Sequence, residues 1–117
     1  MGKALGWSLS GLVAGVRLSL SFRQEIIGLI AILAALALTG QKAEHWLLCV
    51  GAWVLVMAME LLNTALEEAL DLITRDYSPQ VKAAKDMASA AVFLLMLVNG
   101  AVWLYVFGPR LWDWIHR

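Results

Sequence analysis

A long apolar segment that runs directly into a group of acidic residues decides the fold class. Residues 46–71 read WLLCVGAWVLVMAMELLNTALEEALD. The segment is apolar from Trp46 to Met59, and a helical pattern then continues through carboxylates. A transmembrane helix needs about 20 predominantly apolar residues, so the pattern predicts one over residues 46–72. Because an ionisable residue in lipid is costly, the acids at its end are a functional hypothesis.

Two further segments predict membrane helices on either side of the first. The run Ile26–Leu38 is short for a span, so the helix predicted over residues 26–40 must borrow from residues 19–25 or tilt in the bilayer. Thr39-Gly40 is its predicted stop. After it, Ser78-Pro79 is typical of an N-cap followed by proline at the first helical position, and predicts a helix over residues 79–107 that ends at Gly108-Pro109.

The composition excludes several other classes of protein. Of the 117 residues, 62% are hydrophobic and 15% are charged, far from the roughly 45–50% and 25% of soluble domains. A small soluble monomer could not bury so much apolar surface. Nine basic residues balance nine acidic ones, so no positive field favours nucleic acid. The single Cys49 excludes a disulfide framework and a zinc site built from cysteines.

The first 25 residues alternate charged or hydroxyl side chains with apolar ones, which predicts an amphipathic helix lying on the membrane surface. Orientation follows from the distribution of lysine and arginine. Three basic residues lie in the N-terminal part and three in the second loop, against one in the first loop and two in the tail. The N-terminus and the second loop are therefore predicted to be cytoplasmic. The fold class is thus an all-α, multi-pass membrane protein with one domain over residues 1–117.

The polar groups of the second predicted span form a stripe. Glu60, Asn63, Glu67 and Asp71 share one helical face, whereas Glu68 is predicted to point elsewhere. Glu60 lies about 21 Å along the helix from Trp46 at 1.5 Å per residue, within the hydrocarbon. A buried carboxylate without a basic partner takes up a proton or meets a cation.

A lysine and an aspartate, Lys85-Asp86, face this stripe from the start of the last helix. Acids that hold Mg²⁺ and a lysine that holds phosphate are the components of phosphoryl transfer. The sequence has no GxxxxGK[ST] loop, so it is not a P-loop enzyme. A proton or ion carrier is a further interpretation of the buried acids, but it does not account for the Lys-Asp pair.

The residues that carry this chemistry resemble those of a known family. The segment ELLNTALEEALD at residues 60–71, followed by AKDMASAAV at residues 84–92, is similar to the prokaryotic diacylglycerol kinase and undecaprenol kinase family. Gly6-Trp-Ser and Phe22-Arg-Gln-Glu25 resemble its proteobacterial diacylglycerol kinase branch. The resemblance covers about residues 6–107. It implies a homotrimer in the bacterial inner membrane, with three transmembrane helices and an N-terminal surface helix per chain, and with sites between subunits.

The resemblance also implies a role for individual residues. Glu60 would be the catalytic base for a lipid hydroxyl, Asn63 would support it, and Glu67 would bind the Mg²⁺ of MgATP. The residues implied to contact the nucleotide are Trp7, Asp76, Tyr77, Ser78, Lys85 and Asp86. The residues implied to contact the lipid substrate are Ser8, Arg23, Gln24, Glu25 and Ser89.

One position departs from the family pattern. The family usually has a second metal-binding glutamate six residues before the last residue of the Phe-Arg-Gln-Glu motif, and this chain has Ser19 there. A neutral hydroxyl is a poor replacement for a carboxylate at a hard cation. The leading interpretation is a diacylglycerol kinase that makes phosphatidic acid. The alternatives are a kinase for undecaprenol or another lipid alcohol, or a catalytically weak member that acts as a membrane interaction protein.

Overall fold

The computed structural model describes residues 2–117, which form four helices. These are α1 (Gly2–Leu18), α2 (Leu20–Leu38), α3 (Ala43–Ile73) and α4 (Pro79–Ile115). The last three are long and apolar enough to cross a membrane, which agrees with the prediction of three helices of spanning length. α3 packs most extensively against α4 and then against α2, while α1 contacts both α2 and α3. That α1 lies on the membrane surface stays a prediction.

The break between the first two helices lies at Ser19, six residues before the boundary expected from the sequence. Ser19 is extended (φ −117°, ψ 113°), and its hydroxyl oxygen accepts a hydrogen bond of 3.0 Å from the backbone N–H of Phe22. This N-cap starts α2 early enough to give it 19 residues, or about 28 Å at 1.5 Å per residue. The short apolar run therefore reaches spanning length by borrowing residues 20–25, one of the two solutions expected for it.

The predicted start of the last helix is confirmed, but its predicted end is wrong. Ser78 is the N-cap of α4 and Pro79 its first residue, whereas the helix continues through Gly108-Pro109 to Ile115. A proline inside a helix removes one backbone donor, and a tertiary contact can offset that loss. Here the Arg110 guanidinium donates a 2.7 Å hydrogen bond to the carbonyl oxygen of Thr39, joining the extension to the end of α2.

Two polar contacts fix the transmembrane helices side by side. The indole N–H of Trp53 on α3 donates to the carbonyl oxygen of Glu25 on α2 at 2.7 Å, and the same indole lies against Gly28. The Asn99 amide on α4 donates to the carbonyl oxygen of Ala52 on α3 at 3.0 Å. Since hydrogen bonds between helices hold membrane bundles together, these contacts set the register in which α3 carries its acids.

Candidate active site

A polar cavity of about 500 Å³ opens where α1 ends and α2, α3 and α4 meet. We call it the carboxylate cavity. It brings side chains from the start of α2, the acidic part of α3 and the start of α4 to one place. The residues that line it are Leu18, Ser19, Leu20, Ser21, Glu60, Asn63, Thr64, Glu67, Glu68, Ser89, Val92 and Phe93.

Three of the predicted stripe residues line this cavity in different degrees of burial. Glu60 is 7% exposed and Asn63 is 9% exposed, while Glu67 is half-buried nearer the mouth. The Asn63 amide nitrogen donates to a Glu67 carboxylate oxygen at 3.2 Å, as expected for residues four apart on a helix. The amide oxygen of Asn63 is buried and has no hydrogen-bond partner. A buried acceptor without a partner is uncommon and indicates a place where a donor or a cation binds.

Glu68 corrects one detail of the sequence interpretation. It was expected to point away from the stripe, yet its side chain lines the carboxylate cavity beside Glu67. Residues of two adjoining faces of α3 therefore border the cavity. Ser19, at the position of the expected second carboxylate, lines the same cavity.

The Lys-Asp pair at the start of α4 lies outside the cavity wall. Lys85 forms a 2.7 Å ion pair with Asp71 in the last turn of α3. Asp86 forms a 2.6 Å ion pair with Lys82 one turn before it, and both of these side chains are more than 60% exposed. Ser89 follows Lys85 by one helical turn and does line the cavity. Lys85 therefore lies one turn beyond the cavity along α4.

The other residues that the resemblance assigned to the nucleotide are exposed. Trp7 on α1 is 72% exposed, and Tyr77 in the α3–α4 loop is 80% exposed. Asp76 is exposed, and its backbone N–H donates to the Thr74 hydroxyl at 3.1 Å. Ser78 caps α4, as described above. None of these residues lines the carboxylate cavity.

The residues assigned to the lipid substrate are dispersed. Of the five, Ser89 alone lines the carboxylate cavity. Arg23 donates to the carbonyl oxygens of Val16 and Arg17 at 2.6 and 3.3 Å, and so caps the end of α1. Gln24 is exposed.

Glu25 is buried between α2 and α3, and one oxygen of its carboxylate has no hydrogen-bond partner. It is close enough to Glu60 for the two carboxylates to interact electrostatically. This residue adds an acidic group near Glu60 that does not itself line the cavity.

A second, apolar space joins the first and was missed by the sequence interpretation. This apolar groove, of about 620 Å³, lies between α1 and α3. Its lining includes Ser8, the remaining residue of those that the resemblance assigned to the lipid substrate. It shares Leu18, Thr64 and Glu68 with the carboxylate cavity, so the two spaces adjoin. The signal in the sequence was the Gly11/Gly15 pair, because a Cβ atom at Gly15 would collide with the Leu61 side chain.

Within residues 2–117, no group of three histidine, cysteine, aspartate or glutamate side chains is arranged to hold a metal ion. The described residues therefore do not form a site in which the protein alone surrounds a cation. Mg²⁺ is often bound by one or two carboxylates together with substrate phosphates and water, and Glu67 with Glu68 at the cavity mouth is a donor set of that kind.

Comparison with known proteins indicates the family to which the chain belongs. The chain is 35% identical to a diacylglycerol kinase of Pseudomonas aeruginosa over 86% of its own length and 81% of the relative's. It is 34% identical to a diacylglycerol kinase of Escherichia coli over 86% of its own length and 83% of the relative's. It is 43% identical to an undecaprenol kinase of Bacillus subtilis over 48% of its own length and 46% of the relative's. Since the family model described as prokaryotic diacylglycerol kinase also matches residues 6–107, the chain belongs to the prokaryotic diacylglycerol kinase family.

Proposed function

We propose that this protein is an ATP-dependent lipid kinase that phosphorylates diacylglycerol to phosphatidic acid. The observation that carries the proposal is the junction between the carboxylate cavity and the apolar groove, which share Leu18, Thr64 and Glu68. A lipid alcohol has the same division: a polar head with a reactive hydroxyl, and apolar tails that must stay out of water. A substrate at the junction would have its hydroxyl among the acids of α3 and its chains along α1.

Glu60 is the proposed catalytic base. It is the most deeply buried acid of the cavity wall, and among the three ion pairs of residues 2–117 none involves it. Its carboxylate would accept the proton of the lipid hydroxyl as that oxygen attacks the γ-phosphorus of ATP. The bond from phosphorus to the bridging oxygen breaks, and ADP leaves. Asn63, through its bond to Glu67, would keep the neighbouring carboxylate oriented.

Mg²⁺ is the proposed metal of the nucleotide, and Glu67 its proposed protein ligand. When bound, the ion would offset the negative charge of the ATP phosphates. The donors at the cavity mouth fit a hard cation, because Glu67 and Glu68 offer carboxylate oxygens and Asn63 has an unpartnered amide oxygen nearby. Ser19 lies on the same wall and contributes a hydroxyl instead of a second carboxylate.

Lys85 is the proposed contact to the phosphates. Its ammonium group has three donors, and Asp71 accepts from it at 2.7 Å, so donors remain for a phosphate oxygen. Asp86, Trp7 and the loop residues 76–78 are proposed to border the rest of the nucleotide. Their exposure is compatible with a ligand that arrives from water, and the proposed orientation puts them on the cytoplasmic side where ATP is found.

The proposed assembly is a homotrimer. Three helices in one chain leave much apolar surface uncovered, and the described part of the chain has many exposed large hydrophobic side chains. Lipid covers apolar surface, but the open side of a cavity that contains carboxylates is better covered by protein. A neighbouring copy would close the site.

A kinase for undecaprenol is a second candidate, favoured by one specific finding. The undecaprenol kinase relative has the highest identity of those compared above, 43%, although over only 48% of this chain. A third candidate, a catalytically weak member that acts as a membrane interaction protein, is favoured by Ser19. The two kinase candidates share one mechanism and differ only in the lipid that occupies the apolar groove.

The experiment is transfer of the γ-phosphate of labelled ATP to lipid by the purified full-length chain in mixed micelles. Diacylglycerol and undecaprenol are supplied separately, and the phosphorylated lipid is counted. We expect turnover with diacylglycerol, and a loss of at least about 10²-fold in Glu60→Gln, the usual scale for a general base.

Glu44→Gln is the matched control for this variant. It also neutralises one carboxylate of α3, but at the far end of the helix, where the side chain is 62% exposed and pairs with Lys42. Its turnover should equal that of the parent chain. Faster turnover with undecaprenol would establish the second candidate. Transfer to neither lipid above the level of Glu60→Gln would leave the interaction protein as the function.

A further inference from the structure

A second polar cavity lies at the opposite end of the helix bundle. It has a volume of about 610 Å³ and is formed where the α2–α3 turn meets the last turns of α4; we call it the C-terminal cavity. Its charged and polar lining includes Gln41, His45, Arg110, Asp113 and Arg117. From His45 to Asn63, α3 advances about 27 Å at 1.5 Å per residue, so the two polar cavities are separate.

The C-terminal cavity is lined by more basic than acidic side chains. Two guanidinium groups face one carboxylate, that of Asp113. Residues 2–117 contain three ion pairs, and none of them involves these three side chains. Arg110 donates one hydrogen bond to the carbonyl oxygen of Thr39. The Arg117 side chain donates no hydrogen bond to residues 2–117. Guanidinium groups match the oxygens of a phosphate in geometry as well as in charge.

The surroundings of the cavity indicate where its ligand comes from. Trp114 lines it, and the neighbouring Leu111, Trp112 and Ile115 are each more than half exposed. Tryptophan is enriched at the level of lipid headgroups, where its ring is apolar and its N–H meets polar groups. Phosphates at that level belong to membrane lipids.

The two arginines of the cavity lie outside the part of the chain that the family shares. The family match ends at Phe107, and both arginines follow it. They are positioned by the continuation of α4 past Pro109, the feature that the sequence analysis did not anticipate. The catalytic proposal uses none of these residues, so the two inferences stand or fall separately.

We propose that the C-terminal cavity binds a phosphate group, presented by the headgroup of an anionic membrane phospholipid. Arg110 on α4 and Arg117, which follows the end of α4, contact the phosphate oxygens. Trp114 lies against the glycerol region beside them.

The test counts lipids retained by the full-length protein in detergent, using native mass spectrometry and a titration with phosphatidylglycerol. Arg117→Gln removes one guanidinium that makes no hydrogen bond within the described chain, so folding does not depend on it. We expect the retained lipid to bind at least about tenfold more weakly, the scale of a lost hydrogen bond between charged groups. Lys42→Gln is the matched control, because it removes one positive charge at the same end of the bundle from a residue that does not line the cavity.

Loss of phosphatidylglycerol in Arg117→Gln but not in Lys42→Gln supports the proposal. Two additional titrations identify the source of the phosphate. Failure of millimolar inorganic phosphate to displace the lipid assigns the site to the headgroup, whereas displacement that depends on Arg117 assigns it to free phosphate with the same chemistry. Equal binding by all three proteins, or an equal loss in the two variants, would overturn the proposal. Kinase turnover, measured in parallel, should be unchanged in both variants.

Discussion

Replacement of Ser19 by alanine should destabilise the protein by about 2 kcal/mol. Removal of a hydroxyl N-cap usually costs about 1 kcal/mol, within a range of about 0.5–2. Here the cost should lie near the top of that range, because Ser19 is 6% exposed and Phe22 is 3% exposed. Ser19→Ala removes the side-chain acceptor of the Phe22 N–H, and a buried donor without a partner costs about 1–3 kcal/mol. Asparagine caps as well as serine, so Ser19→Asn should keep more of the parent stability than Ser19→Ala.

The assay is the free energy of unfolding in mixed micelles, from a titration with sodium dodecyl sulfate followed by circular dichroism. Ser21→Ala is the control, because Ser21 lines the same cavity but caps no helix. It should unfold at the same detergent composition as the parent chain. If Ser19→Ala is as stable as Ser21→Ala, the inference that the Ser19 cap starts α2 is wrong.

The same set of variants tests whether a metal ligand is missing at this position. Ser19→Asp and Ser19→Asn share a capping side chain and differ in charge, so their comparison isolates the carboxylate. If the expected second carboxylate is missing, Ser19→Asp should need less Mg²⁺ for half-maximal turnover than Ser19→Asn. If Glu25 or Glu68 already supplies the charge, the aspartate would add repulsion instead. An equal or higher Mg²⁺ requirement would refute the missing-ligand hypothesis. Ser19→Glu should combine a lower Mg²⁺ requirement with a weakened cap.

Three further predictions concern packing, metal binding and assembly. Gly28→Ala should destabilise the protein by about 1–3 kcal/mol, since the added Cβ would lie 2.6 Å from the Trp53 ring, whereas Gly51→Ala, with open space around it, should be neutral or stabilising in the same unfolding titration. Asn63→Ala should raise the Mg²⁺ concentration for half-maximal turnover, because Glu67 loses the donor that orients it, and an unchanged requirement would remove Asn63 from the site. Light scattering of the detergent-solubilised protein should give a trimer, and a monomer with full turnover would contradict a site closed by a neighbouring copy.

The spans were predictable because apolar length and helix caps are local signals. The Ser78-Pro79 start of α4 and the stop after Leu38, where Gly40 has φ +60°, are both present as expected. Of the two boundaries that differed, the break at Ser19 depends on a local cap, whereas the end of α4 depends on another part of the chain. Continuation past Pro109 is accompanied by the bond from Arg110 to Thr39, 71 residues away in sequence. No window of sequence around the proline contains that partner.

The sequence predicted which acidic residues of the site share one helical face. It did not predict how the other helices enclose them. The spacing of Glu60, Asn63 and Glu67 placed them on one face of a helix, and the structure brings them to one cavity. The apolar groove depends on how α1 packs against α3. The two helices are far apart in the sequence, so no fixed residue spacing indicates this packing. For the same reason the sequence indicated that Lys85 faces the acids but could not indicate its pairing with Asp71.

Ser19 in place of a carboxylate favours a protein that keeps the fold without the activity. The structural role of Ser19 as the N-cap of α2 gives another reason for a serine there. A serine at this position is explained by the extended backbone and by its bond to Phe22, whether or not the chain is a kinase. The acids of α3 have no such explanation. Glu60 is buried and belongs to no ion pair of the described residues, and the amide oxygen of Asn63 is buried without a hydrogen-bond partner, which costs stability. A scaffold would gain stability by replacing them with leucine, so their presence favours the kinase over the interaction protein.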